Sequence, residues 1–164
     1  LDRALEYHLE ALAIQQERGF KSGEADTLGN IGLVYREKGD LAKAYEYQQQ
    51  ALVIHREVGS LQGQAADLSN IGLIHKDRGD LDQALSFYTK AISLERQVGF
   101  KKGEAVDLCN IGDIYIRKGV LDTARSYLRQ ALEIAVQYNF HPEREIIKIA
   151  IDSIRGGTRG KKKR

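Results

Sequence analysis

Apolar residues recur at helical spacing in this chain, and the same set returns at intervals of 40 residues. Leu28, Ile31, Gly32 and Tyr35 stand at i, i+3, i+4 and i+7. That spacing lines one face of an α-helix. The matching sets are Leu68, Ile71, Gly72 and His75, and Leu108, Ile111, Gly112 and Tyr115. The pattern therefore predicts one such helix, called helix A, in each of three units.

A second helix, called helix B, is predicted after a tight turn in each unit. Small and large residues alternate along it, as Ala44, Tyr47, Ala51 and Ile54, then Ala84, Phe87, Ala91 and Leu94, then Ala124, Tyr127, Ala131 and Ile134. Gly39, Gly79 and Gly119 precede it, where a helix end favours a left-handed residue. Asp40 and Asp80 are predicted to cap helix B, whereas Val120 lacks a capping side chain. Helix B should end at Gly59, Gly99 and Asn139, and Ser60 departs from the Phe100 and Phe140 that follow the later ends.

The units are copies of one sequence. Residues 30–69 and 70–109 share 16 identical positions without a gap, and the phrases NIGLVYREKGD, NIGLIHKDRGD and NIGDIYIRKGV begin at Asn30, Asn70 and Asn110. A single helix pair would leave an apolar face in water, so such units stack on their neighbours. The sequence thus predicts an all-α chain of stacked pairs at residues 23–59, 63–99 and 103–139.

Both ends of the chain depart from the repeat. Residues 1–19 match a helix B without its helix A, which suggests that the chain is a piece of a longer array. A capping helix is predicted over residues 142–155, because Pro142 suits a first helical position and Gly156–Gly157 favours a stop. Residues 1–155 would then form the folded body, and residues 156–164 a disordered basic tail.

The order of small and aromatic residues in NIGLVYREKGD and LAKAYEYQQQALVI resembles the tetratricopeptide repeat. The resemblance covers about residues 1–138, in the long 40-residue form that is similar to kinesin light chain and Pins-type scaffold repeats. It implies a right-handed solenoid of antiparallel helix pairs whose A helices line a concave groove. It also implies a scaffold that binds proteins.

The resemblance assigns the groove to the face of helix A opposite the apolar set. On that face we expect Asp26, Asn30, Leu33 and Glu37, then Ala66, Asn70, Leu73 and Asp77, then Val106, Asn110, Asp113 and Arg117. Flanking positions include Gly29, Arg36, Ser69, Lys76, Cys109 and Ile116. In the family the Asn contacts the ligand backbone, since a carboxamide both donates and accepts; the alternative is that each Asn bonds water or its own helix. The family's basic clamp for C-terminal carboxylates is missing, and the acids and Leu residues favour a ligand with apolar and basic side chains.

Composition and charge limit the other functions. The 164 residues carry a net charge of +2, but the last ten hold six basic residues, which leaves residues 1–154 at about −4. A nucleic-acid partner is therefore not expected for the folded body. No stretch is apolar and long enough for a membrane span. The tail could dock on nucleic acid or an acidic membrane, act as a localisation signal, or occupy a neighbour's groove, although such runs are usually solvated.

No catalytic, cofactor or metal motif is evident. The four histidines lack ligand spacing, and His75 replaces the Tyr of the other units. Cys109 occupies the place of Gly29 and Ser69, so we interpret it as a small residue on the flank of the groove rather than a reactive thiol. One cysteine cannot form an internal disulfide and fits a reducing, cytoplasmic compartment. The sequence thus favours a non-enzymatic module that binds a protein or peptide; the alternative is a spacer or self-association segment, through the incomplete N-terminal repeat, of a larger signalling protein.

Overall fold

Eight α-helices make up the fold in a computed structural model that describes residues 1–159, and no strand occurs within that range. Their bounds are α1 Asp2–Glu17, α2 Lys21–Glu37, α3 Leu41–Glu57, α4 Leu61–Arg78, α5 Leu81–Val98, α6 Lys101–Arg117, α7 Leu121–Gln137 and α8 His141–Arg159. The chain divides between Leu94 and Glu95, within α5, into two compact units, called unit 1 and unit 2. The all-α prediction is confirmed.

The same turn joins the successive helices. Gly39 has φ +81°, and its N–H donates to the Arg36 carbonyl while the Asp40 N–H donates to the Tyr35 carbonyl, both at 2.9 Å. These two bonds satisfy carbonyl groups that the end of a helix leaves unpaired. The left-handed residues lie 20 positions apart, at Gly19, Gly39, Gly59, Gly79, Gly99, Gly119 and Asn139. Asn139, with φ +60°, confirms its predicted role as a substitute for glycine.

The residue after a left-handed position can also cap the next helix, which starts one residue later. The Asp40 carboxylate accepts from the Lys43 N–H at 3.1 Å, and the Ser60 hydroxyl accepts from the Gly63 N–H at 3.1 Å. Ser60, which departs from the Phe pattern, is therefore a helix cap. Val120 precedes α7 without a side-chain cap, as predicted. The A helices begin at Lys21, Leu61 and Lys101, two residues before the starts of the predicted pairs, because only two or three residues separate each of them from the preceding helix.

Small residues and stacked rings pack each A helix on the following B helix. A Cβ at Gly32 would lie 2.9 Å from the Gln48 Nε2 and 3.1 Å from the Ala44 carbonyl oxygen, so a larger residue there would require α3 to shift away from α2. The Tyr35 and Tyr47 rings stack at 5.4 Å between centroids. His75 stacks on Phe87 at 5.2 Å in the same place, and Tyr115 stacks on Tyr127 at 5.6 Å in unit 2. The predicted apolar faces thus form the cores of both units.

The two end helices form, with differences from the prediction. In α1, Tyr7 and Ile14 are 57% and 50% exposed, although the matching residues of later B helices pack on a helix A. The end predicted at residue 155 for the last helix is wrong, because α8 continues to Arg159. A glycine costs about 1 kcal/mol relative to alanine inside a helix, which does not by itself end one. Of the predicted tail, residues 160–164 lie outside the described residues.

Candidate functional site

The predicted wall residues lie on the solvent side of the A helices. In unit 1, Asp26, Asn30 and Glu37 of α2 are exposed and Leu33 is half-buried, while α4 contributes half-buried Asn70 and Leu73 with exposed Ala66 and Asp77. In unit 2, Val106 and Arg117 of α6 are exposed, and Asn110 and Asp113 are half-buried. None of these residues is buried, because each faces away from the apolar set of its helix. We call these positions the A-helix wall of each unit.

The three Asn side chains have different surroundings. Asn30 has no hydrogen-bond partner within residues 1–159. The Asn70 side-chain nitrogen donates to the Gln48 Oε1 at 3.4 Å, and the Asn110 nitrogen donates to the Asp107 Oδ1 at 3.4 Å. Both distances are long for a hydrogen bond. Asn30 is therefore the Asn whose polar atoms are most accessible, and the other two are partly used by the protein.

Gln48 is a buried link that the sequence analysis missed. It is fully buried in α3, and its Nε2 donates to the Gly29 carbonyl of α2 at 2.8 Å while its Oε1 accepts from Asn70 of α4. The sequence did contain a signal that this position is buried, because the large side chains Tyr88 and Leu128 occupy it 40 and 80 residues later. A buried carboxamide with both ends bonded fixes the position of its partners. Gln48 thus helps to set the orientation of Asn70 on the wall.

Two of the four acids on the wall are neutralised by arginines. The Asp77 carboxylate lies 2.6 Å from the Arg36 guanidinium, although Arg36 had been assigned to the flank. Asp113 pairs with Arg117 of its own helix at 3.2 Å. Asp26 and Glu37, both on α2, have no Lys or Arg ion partner in the part of the chain that the structure describes. The uncompensated negative charge of the wall is therefore concentrated on α2.

Asp26 is instead the exposed end of a row of three side chains, whose other two members, His55 and Asp67, are buried. His55 of α3 is buried; its Nδ1 lies 2.7 Å from the Asp67 Oδ2 of α4, and its Nε2 lies 3.3 Å from the Asp26 Oδ1. Burial raises the pKa of the Asp67 carboxyl to about 6, against the lowering effect of the hydrogen bond to His55. Sequence spacing did not reveal this set of side chains, since only Asp26 of the three residues lies on a predicted functional face.

Unit 2 holds carboxyl groups at the equivalent positions. Glu95 replaces His55 and Asp107 replaces Asp67, and both are buried. Burial, with the negative charges of Asp107 and Glu104, raises the pKa of the Glu95 carboxyl to about 8. Glu104 is held by Lys101 at 2.8 Å and Arg96 at 2.6 Å. A neutral Glu95 is therefore expected at pH 7.

Unit 2 also exposes large apolar side chains on α8, outside the A-helix wall. Ile146 and Ile149 of α8 are 66% and 70% exposed and stand 40 residues after Val106 and Cys109. Val106 is also exposed. Burial raises the pKa of the Cys109 thiol to about 12, so it carries no thiolate at neutral pH. The capping helix therefore continues the face of α6 with two large apolar side chains.

Neither a metal-binding cluster nor a membrane-spanning helix occurs in the part of the chain that the structure describes. Residues 1–159 contain no group of three His, Cys, Asp or Glu placed to hold a metal ion. None of the described helices combines the length and the apolar character that a bilayer span requires.

Comparison with known proteins gives one family. The profile of the tetratricopeptide repeat matches residues 1–57, 23–97 and 64–137. No curated protein sequence matches the chain significantly.

Solved structures share the fold. Aspartyl phosphate phosphatase F from Bacillus subtilis is similar with a TM-score of 0.81 and 16% identity, over 96% of this chain and 44% of that chain. The repeats of a putative kinesin light chain from Podosopora anserina are similar with a TM-score of 0.73 and 15% identity, over 98% of this chain and 81% of that chain. BtubC (BKLC) from P. vanneervenii is similar with a TM-score of 0.71 and 16% identity, over 95% of this chain and 74% of that chain. At this identity the likeness shows the fold alone, and the predicted tetratricopeptide fold is confirmed.

Proposed function

Because the chain belongs to the tetratricopeptide repeat family, a generic protein–protein interaction module, we propose that it binds a peptide or helix of a partner protein along its A-helix wall. The observation that carries the proposal is the exposed Asn30, whose carboxamide has no hydrogen-bond partner among residues 1–159. A carboxamide can donate to and accept from a peptide backbone of any sequence. The same residue type stands at Asn70 and Asn110, one in each A helix.

Side chains beside the Asn residues would select among ligands. Leu33 and Leu73 offer apolar contacts in unit 1, and Val106, Ile146 and Ile149 offer them in unit 2. The uncompensated carboxylates on α2 favour basic groups. The ligand is therefore a segment that combines apolar and basic side chains.

The proposal needs no catalytic step, since the tetratricopeptide fold is generally a non-enzymatic scaffold. A reducing, cytoplasmic location agrees with the single Cys109 and belongs to this proposal.

The experiment compares two variants in a pull-down followed by affinity measurement with the recovered partner. Asn30→Ala, Asn70→Ala and Asn110→Ala together remove the wall carboxamides. Gln50→Ala with Gln130→Ala removes exposed carboxamides of helices α3 and α7 and is the matched control. We expect the Asn variant to lose binding by about tenfold or more while the control binds normally, because each lost hydrogen bond contributes roughly 1 kcal/mol. A partner that binds both variants equally, with circular dichroism showing both folded, would contradict the proposal.

A further inference from the structure

The chain Asp67–His55–Asp26 connects the core of unit 1 to its wall. His55 and Asp67 are buried, whereas the Asp26 side chain is 70% exposed. Three helices contribute one residue each, so the packing of α2, α3 and α4 determines where the Asp26 carboxylate points. An exposed carboxylate on a helix surface ordinarily has no such support.

A glycine makes room for this arrangement. A Cβ at Gly63 would collide with the His55 ring, so α4 can lie against the ring only because residue 63 has no side chain. The His55 ring is thus fixed from two sides, by the α4 backbone and by the Asp67 carboxylate.

The net charge of the three groups is negative at neutral pH. Asp67 and Asp26 supply two carboxylates, and His55 supplies at most one positive charge. If the Nδ1–H donates to Asp67, the Nε2 donates to Asp26 only when the ring is protonated. The charge is therefore −1 with that proton and −2 without it, and Asp26 is the member that a ligand can reach.

Charge on the rest of the unit 1 wall leaves two places for a cation. Asp77 is already bound by Arg36, which leaves Asp26 and Glu37 without a basic partner within the described residues. Within residues 1–159, no buried side chain pairs with Glu37 to orient its carboxylate. The two residues therefore differ in support although they carry the same charge on the same helix.

We propose that Asp26 anchors a lysine or arginine side chain of the peptide ligand, and that His55, held by Asp67, is a positioning residue that orients the Asp26 carboxylate. A carboxylate fixed before binding loses less rotamer freedom when it pairs with a guanidinium, and such pairs form two parallel hydrogen bonds. The inference rests on the proposed function, since it concerns a ligand on the same wall.

The probe is a twelve-residue random peptide library displayed on phage and selected on the full chain. We expect the selected peptides to be enriched in Arg or Lys. The strongest binder is then synthesised twice, once with its basic residue as Arg and once with neutral citrulline of the same shape. Affinities for both peptides are measured by fluorescence anisotropy on the parent chain, on Asp26→Asn, Glu37→Gln and His55→Gln, and on the triple Asn variant.

The expected result is a loss of about tenfold or more for the Arg peptide on Asp26→Asn, with little change on Glu37→Gln. The citrulline peptide should bind the parent and Asp26→Asn alike. His55→Gln introduces the residue that stands at the equivalent position 15. It should weaken binding of the Arg peptide and leave binding of the citrulline peptide unchanged. If His55 had a purely structural role, binding of both peptides would weaken. Since Asp26 is exposed, Asp26→Asn is expected to fold even if His55→Gln does not.

Several outcomes would overturn the inference. Selected peptides without basic residues, or equal binding of Arg and citrulline peptides, would exclude a cation at Asp26. If the triple Asn variant loses the peptide but Asp26→Asn keeps it, this inference fails and the proposed function stands. If the triple Asn variant keeps the peptide, or if no peptide is selected, the proposed function fails as well.

Discussion

At the residue scale, the two buried titratable sites show how one repeat position can carry different chemistry. The position 12 residues before the buried Asp67 or Asp107 holds His55 in unit 1 and Glu95 in unit 2. A histidine can donate to the buried carboxylate, and the His55 Nδ1 lies 2.7 Å from the Asp67 Oδ2. A glutamate beside a carboxylate instead raises the electrostatic cost of ionisation, and the Glu95 Oε2 has no hydrogen-bond partner within residues 1–159.

Glu95→Gln should remove a pH dependence of stability. The pKa of Glu95 is about 8 in the folded chain, above its usual value of 4.5. Folding therefore takes up a proton between these values, and the free energy of unfolding falls as the pH rises through that window. The neutral variant lacks this loss and should be more stable than the parent by roughly 2 kcal/mol at pH 8.5, with a small difference near pH 4.5.

Urea unfolding at pH 4.5, 6.5 and 8.5 measures this difference. Glu133→Gln, which changes an exposed carboxylate of α7, is the control and should follow the parent. Parallel curves for the parent and Glu95→Gln would show that Glu95 is ionised in the folded chain.

The sequence predicted some of these residues and not others, for a physical reason. Apolar periodicity identified Ile31, Ile71 and Ile111, because burial of an apolar side chain repeats with the helix. Gln48 and His55 were missed, since a polar residue is buried only when a partner from another helix satisfies it. Such partners, here Gly29 and Asp67, lie 19 and 12 residues away and meet only through packing.

At the scale of the element, the helix ends were the most predictable feature. A left-handed residue with two backbone bonds is a local arrangement, so Gly39, Gly79 and Asn139 could be read from the sequence. The exact starts of the A helices were predicted less well. Phe20, Ser60 and Phe100 each complete the end of one helix and immediately precede the next helix. The end of α8 was missed because a glycine pair weakens a helix without an obligatory stop.

Val120→Asp should stabilise α7. Val120 provides no side-chain acceptor at the start of this helix, whereas Asp40 caps α3 at 3.1 Å. A new cap is expected to raise the free energy of unfolding by about 1 kcal/mol, and Asp40→Ala should lower it by a similar amount. Thermal unfolding followed by circular dichroism measures both. Val120→Asn, a capping residue without charge, separates the cap from the effect of added charge; destabilisation by both substitutions would contradict the expectation.

At the scale of the whole molecule, the distribution of charge and of apolar surface bears on association. The whole chain carries a net charge of +2, so two copies repel only weakly at neutral pH. The exposed Tyr7 of α1 lies under the Arg3 guanidinium at 5.7 Å, which covers part of its ring. These features favour a single chain over self-association.

Multi-angle light scattering should therefore give the mass of one chain, 18.4 kDa, from about 5 to 500 μM. The scattered apolar side chains of α1 and α8 do not suggest the large continuous surface that a stable dimer requires. Tyr7→Gln with Ile14→Gln is the matched variant for α1. A mass that rises with concentration in the parent and not in this variant would support the alternative function, a self-association segment.

The regular spacing of the turns has a consequence for the ancestry of such a chain. Left-handed residues occur every 20 positions, but A and B helices alternate, so the sequence regains its register only after 40. Recombination between two of the NIG phrases would add or remove 120 nucleotides and leave every remaining helix beside its proper neighbour. A slip of 60 nucleotides would place an A sequence where a B sequence belongs. Lineages can therefore lengthen or shorten this protein only in whole pairs, and a bound segment would gain or lose contacts in equal steps.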